Sequence, residues 1–183
     1  MTNYNSVIQE IDSEFPGFEI LEKKDSLFMK VINILLIVIT FGMMRTFMTH
    51  FITTVGTSVY VPTGWDSWDN VSKVLILKHE RVHMRQSRKY GSILFRFLYL
   101  FMLPSIFTFR SKFEMEAYNE SIRCMFEYYG NTAFDEAFKN RMVSYFTSSM
   151  YFWMNPCRKS VRTWYDEAVK SAMDEKHKYG TDN

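Results

Sequence analysis

The sequence predicts an α+β fold that is mainly α. It has one motif-bearing helix, a short β-hairpin or edge strand before it, and additional helices toward the C-terminal end. Three observations predict this class. Apolar residues recur at helical spacing through much of the chain. Only 7 Gly and 4 Pro interrupt 183 residues, so long stretches are free to be helical. One segment, 51–62 (FITTVGTSVYVP), is instead β-branched and alternates around Gly56. The length fits one domain. Its parts are a polar lead (1–26), an apolar helix (27–50), a core carrying the candidate site (51–129) and C-terminal helices (131–183).

The elements follow in order. The lead is polar and acidic, with no basic segment followed by an apolar one, so no secretory signal is expected and a cytoplasmic location is. Residues 27–47 (LFMKVINILLIVITFGMMRTF) hold 14 uncharged positions between Lys30 and Arg45. That is short of the roughly 20 apolar residues a membrane span needs. A buried helix or contact with a membrane surface is expected there, and also at 93–109, which Arg96 and Pro104 break. The strand of 51–62 ends at Pro62. Asp66 or Ser67 is positioned to cap a helix that starts near Trp68, runs through residue 89 and stops at Gly91. A helix over 113–129 is expected to stop at Gly130. Asn131 or Thr132 would cap the next, marked by Phe134, Phe138 and Met142. After Pro156, Ser160 would cap a last helix with Val161, Trp164, Tyr165, Ala168 and Ala172 on one stripe.

Composition removes several function classes. Hydrophobic residues are 47% and charged residues 23%, ordinary globular values that exclude a disordered tail. Two cysteines, Cys124 and Cys157, cannot form a disulfide framework. A net charge of +2 gives no global attraction to polyanions, and no nucleic-acid partner is expected. The 17 Phe, 11 Tyr, 4 Trp and 13 Met demand burial in a core, a membrane or a partner.

The chemistry concentrates in VLILKHERVHMRQSRKYG. His79, Glu80 and His83 form H-E-x-x-H. On a helix, residues i and i+4 share a face, so both imidazoles can reach one metal ion. Glu80 is rotated about 100° from His79 and can reach a bound water instead of ligating. Zinc brings the pKa of such a water toward about 7, and a neighbouring carboxylate can take its proton and return it to a leaving amine. On the helical wheel, Trp68, Val71, Leu75 and Val82 lie with both histidines. Lys78, Arg81, Arg85, Arg88 and Lys89 lie nearly opposite. A third ligand is needed, and neither His50 nor His177 is well placed. Downstream, FEMEAYNE (113–120) carries Glu114, Glu116 and Glu120 on an expected helix.

With these residues the chain resembles a small zincin metallopeptidase of the gluzincin type. The resemblance covers about residues 51–129: a short strand ending in Pro, the H-E-x-x-H helix followed by Gln86, a greasy link, then E-x-E-A-Y. It is similar to compact, mostly uncharacterised bacterial and phage members. The resemblance implies Zn2+ held by His79, His83 and Glu114, with Glu116 as the alternative, and Glu80 as the base. Tyr118, Glu120 and Gln86 would support the ligands. Thr57, Ser58, Val59, Tyr60 and Val61 would form an edge strand that pairs with extended substrate. Arg81 departs from the family pattern, which carries uncharged residues there. The function implied is zinc-dependent hydrolysis of peptide bonds in a peptide or protein substrate. The alternative is a membrane-associated or virion structural protein on a degenerate scaffold of this type. Its motive is the greasy stretches and the basic stripe, which can face anionic lipid.

Overall fold

A computed structural model of the chain describes residues 3–95, 107–148 and 154–179. It is mainly helical with one small sheet, as the sequence predicts. The apolar stretch 93–109 lies outside the described residues from 96 to 106. Two compact units divide the chain near residue 88.

The first unit, residues 2–88, opens with structure where the sequence suggests only a polar lead. Helix α1 (Tyr4–Glu14) is capped by Asn3, whose side chain accepts from the Ser6 N–H. It buries Val7 and Ile11 completely. Strand β1 (Glu19–Glu22) follows, then a 3-10 turn, then helix α2 (Leu27–Ile39), capped by the Ser26 hydroxyl. The alternation of EIxE in β1 is too short to announce a strand. A short helix α3 (Phe47–His50) leads to β2 (Thr53–Val55) and β3 (Ser58–Val61). Gly56, at φ 67°, begins the two-residue turn between them. A glycine first in such a turn matches the natural twist of a hairpin.

The sheet order is β1-β3-β2, with β3 parallel to β1 and antiparallel to β2. Val59 and Val61 are buried while Ser58 and Tyr60 are half-buried, the period-two pattern of a strand with one covered face. This arrangement corrects the substrate-strand expectation. Ser58, Val59, Tyr60 and Val61 belong to the central strand, paired with β1 throughout and with β2 from Ser58 to Tyr60. Thr57 sits in the turn, where its hydroxyl donates to the Gly17 carbonyl. The outer strands are β1 and β2.

Helix α4 (Asn70–Tyr90) carries the motif. Its cap is Asp69, not Asp66 or Ser67: the Ser72 N–H donates to Asp69 Oδ1 at 2.9 Å. That bond and the Ser72 hydroxyl hold the Asp69 carboxyl below its ordinary range, as expected at a helix N-terminus. Residues 65–67 form a 3-10 turn, which delays the start. Gly91, at φ 80°, ends the helix as expected. The buried face is Lys73, Val74, Leu77, Glu80, His83, Met84 and Gln86. It is centred nearer Glu80 than the wheel suggests, and Val71, Leu75 and Val82 are only half-buried.

The rotation has a cause on the far side of α4. Glu14, at the end of α1, accepts from Arg81 Nε at 2.7 Å and from Arg85 Nε and Nη2, each at 2.7 Å. Arg88 Nη2 adds a bond at 3.0 Å, and its guanidinium stacks over Phe15. Arg81 also reaches Glu10 at 2.9 Å. Three of the five stripe cations are thus ion-paired within the unit. Part of the stripe thus docks α1 against α4.

The same unit buries a lysine. Lys23 is fully inaccessible, with Nζ donating to the Phe47 carbonyl at 3.0 Å and lying 3.7 Å from the centre of the Phe47 ring.

The second unit, residues 89–183, is helical in its described residues. Helix α5 (Phe107–Tyr129) starts six residues before the expected 113 and stops at Gly130, which adopts φ 62°. A 3-10 turn then fills 130–133, where Thr132 donates back to the Tyr129 carbonyl instead of capping. Asp135 is the cap of α6 (Glu136–Thr147), accepting from the Phe138 N–H at 2.7 Å. Helix α7 (Arg158–Tyr179) begins before Ser160, the expected cap; the Cys157 carbonyl takes the Val161 N–H. Ile122, Phe126, Met142, Tyr165, Val169 and Ala172 form one buried cluster. Val143, Phe146, Met154 and Val161 form another. The expected stripes contribute Met142, Tyr165 and Ala172 to the first and Val161 to the second. Cys124 is buried, Cys157 is exposed and neither is bridged.

Two predictions follow from the charges. The Arg85 and Arg81 bonds hold the Glu14 carboxyl at about 2, against an ordinary 4.5. A carboxyl depressed on folding stabilises the fold above its ordinary value and loses that contribution as pH falls. Glu14→Gln is expected to lower stability at neutral pH by about 1 kcal/mol in urea unfolding. The variant should also lose less stability than wild type between pH 4.5 and 2. Burial, opposed by the charge of Glu80, brings Lys23 down to about 7 from 10.5. Here the unfolded chain holds the proton more tightly, so stability rises with pH across that window. Chelator-treated wild type should therefore gain stability relative to Lys23→Met between pH 7 and 10.5. A constant difference would remove the assignment.

Candidate metal centre

Helix periodicity does the first part of the work. His79 and His83 are one turn apart on α4, and their Nε2 atoms approach to 3.1 Å. The rings meet edge to face, with centroids 4.9 Å apart and planes at 77°. Two nitrogens each 2.0–2.1 Å from one tetrahedral zinc would lie about 3.3 Å apart, so the pair is close to ligating geometry.

The tautomer of His83 is set locally. Its Nδ1 lies 2.9 Å from Gln86 Oε1, and both side chains are buried. With the Gln86 amide oxygen as acceptor, Nδ1 is the donor and Nε2 is the nitrogen turned toward His79. This is the outer-shell orientation that metal-binding histidines require.

Glu80 is 7% exposed and sits at the centre of the buried face of α4. Its Oε2 accepts from the Thr54 hydroxyl at 2.6 Å. Thr54 lies on β2, so the outer strand of the hairpin, not β3, reaches the motif. The buried ammonium of Lys23 adds a positive charge that acts on Glu80. Sequence reasoning missed both partners. Thr54 is one threonine in a β-branched run, and Lys23 is one of two adjacent lysines in a polar segment. Neither carries a local signal, because contact across the sheet and the 3-10 turn creates their roles.

The acidic cluster resolves on α5. Glu114 is buried, at 6% exposed, whereas Glu116 is exposed. One ligand atom from each of His79, His83 and Glu114 lies within 4.8 Å of the other two. Among the described residues this is the group of three able to hold a metal ion, and it contains the preferred glutamate, not the alternative. Tyr118 packs against Tyr145 and Phe146, with ring centroids 6.3 and 5.6 Å away. Glu120 pairs with Arg123 on the same helix. These two contacts tie Tyr118 and Glu120 to the packing and surface of the C-terminal helices. His50 is exposed, with Nδ1 at 2.8 Å from the Thr49 hydroxyl.

The donor set fits a zinc ion chemically. Imidazole nitrogens and a carboxylate oxygen are donor types that zinc accepts. Arg81 does not disturb it. Its guanidinium is directed to Glu10 and Glu14, on the opposite side of the helix from both histidines.

No family model matches the chain, and neither do any of the curated proteins or solved structures compared with it.

Proposed function

We propose that the chain is a zinc-dependent hydrolase that cleaves peptide bonds. The observation that carries this reading is the convergence of His79, His83 and Glu114 beside a buried Glu80 that stands outside the group. His79 Nε2, His83 Nε2 and a Glu114 oxygen would hold the ion. Zinc supplies an acidified water and a polarised substrate carbonyl when bound.

The chain's own residues supply the rest. Glu80 accepts a proton from the attacking water and passes it to the departing amine. The Thr54 bond fixes Oε2, which leaves the other carboxylate oxygen to take the proton. Gln86 holds the His83 ring and its tautomer. Lys23, fully buried, keeps a positive charge close to Glu80 when protonated.

The alternative explanation of a 3.1 Å contact between imidazoles is one N–H···N hydrogen bond without a metal. Elemental analysis separates the two. Protein purified without added metal should carry near one zinc per chain, and His83→Ala almost none. Glu80→Gln should retain the zinc while turnover on unfolded protein substrates drops by about 10²–10⁴-fold. Zinc-free, well-folded wild type would sink the reading. So would a fully active Glu80→Gln.

Gln86→Ala provides a graded test. Loss of an outer-shell partner typically weakens metal affinity by about 10–100-fold. The variant should therefore lose zinc to a chelator at a concentration that leaves wild type loaded. Equal retention would mean that the Gln86 bond does not orient a ligand.

A further inference from the structure

Helix α2 exposes an apolar surface that its own unit leaves uncovered. Leu27, Val31, Ile34, Leu35, Val38 and Ile39 are each between 48% and 75% exposed. At 100° per residue they fall, with Phe28, within an arc of about 140°. Met29, on the other side, is fully buried. The apolar surface continues past the helix end. Phe41 is 94% exposed and Met43 is 55% exposed. Phe41 holds φ at 49°, a left-handed conformation that a bulky side chain rarely adopts. The turn thus presents this ring outward in a strained conformation.

We propose that α2 and the following turn lie in the headgroup and acyl boundary of an anionic lipid bilayer and anchor the protein to its surface. Three features of the molecule select this occupant. The first is breadth. An arc this wide on an isolated helix, extended by Phe41 and Met43, suits a continuous apolar medium better than a narrow seam does. The second is length. Thirteen helical residues span about 20 Å, against about 30 Å of hydrocarbon, and no helix among the described residues is long and apolar enough to cross a membrane. The third is charge. Residues 26–65 contain no Asp or Glu, and Lys30 and Arg45, both exposed, flank the apolar arc. Cations at the margins of an apolar face can rise to lipid phosphates while the face inserts. This assignment is independent of the metal chemistry, since it uses none of the site residues.

The test is flotation of the full chain with vesicles of phosphatidylcholine, alone or mixed with phosphatidylglycerol. Wild type should float with the mixed vesicles, and less so as salt is raised or the anionic lipid is omitted. The double variant Ile34→Asp/Val38→Asp should bind at least about tenfold less, with unchanged far-UV circular dichroism. Phe41→Ser, at the most exposed position, and Arg45→Glu provide milder changes expected to weaken binding in the same direction. Wild type remaining at the bottom of the gradient with mixed vesicles overturns the proposal. So does a folded double variant that floats as wild type does. A dimer in solution that the double variant splits, with no flotation by wild type, would assign the face to a second copy and also overturn it. Failure of all metal binding would leave this outcome unaffected.

Discussion

The carboxylate of Glu14 fixes the rotation of α4, and the rest of the candidate site depends on that rotation. Arg81, Arg85 and Arg88 recur at four and three residues, so they form one row along the helix. All three end on Glu14. That row lies about 180° around the helix from His79 and His83. Tying one side to α1 therefore turns the imidazoles and Glu80 away from α1. Val74, Leu77 and Met84 are buried on the same face as Glu80 and His83. A charged anchor on the far side adds to that direction. Exposed ion pairs contribute little singly, but here one carboxylate receives a bidentate guanidinium and two more cations.

Burying a polar constellation costs free energy unless each member finds a partner. The first unit meets that requirement piece by piece. Glu80 receives the Thr54 hydroxyl, His83 is bonded through Gln86, and Lys23 reaches the Phe47 carbonyl and ring. The two Nε2 atoms remain turned toward one another. Two lone-pair-bearing nitrogens at 3.1 Å would repel unless a proton or a cation lies between them. The Gln86 bond assigns the His83 proton to Nδ1, which removes one of the two possible donors. A proton on His79 Nε2 or a cation between the rings would each satisfy this contact.

Much of this was legible in the sequence, and the parts that were not share a cause. H-E-x-x-H needs only helical spacing, so the histidine convergence could be read from four positions. The preference for Glu114 over Glu116 matches burial on α5, although neighbouring acids on one helix give no intrinsic order. The stop signals Gly91 and Gly130 worked because a left-handed residue ends a helix whatever surrounds it. The caps were less legible. Asp66 and Asp69 are three residues apart and equally suited by type, and the intervening 3-10 turn decides between them. The polar lead was the largest omission. Its helix is amphipathic over three turns, yet Val7 and Ile11 are sparse among acids. Its purpose becomes visible only when Glu14 meets three arginines more than sixty residues away. β1 is similar: four residues carry too little pattern to announce a strand, and the parallel pairing with β3 makes β3 central. That pairing is long-range in sequence, which is why a hairpin read alone looks like an open edge.

The basic stripe and the apolar helix illustrate how composition misleads when charge and greasiness are considered apart from their partners. Five cations on α4 suggest attraction to lipid, but three of them are consumed by Glu14 and Glu10. Helix α2 has only one cation and few polar groups, so its charge seems unimportant. Yet the run of 40 residues around it carries no acid, and Lys30 and Arg45 are both exposed. Attraction to lipid requires exposed apolar area and exposed cations side by side, and the two occur together on α2 and the turn that follows it. The number of charges on a segment is therefore a poorer guide than whether the fold has already matched them.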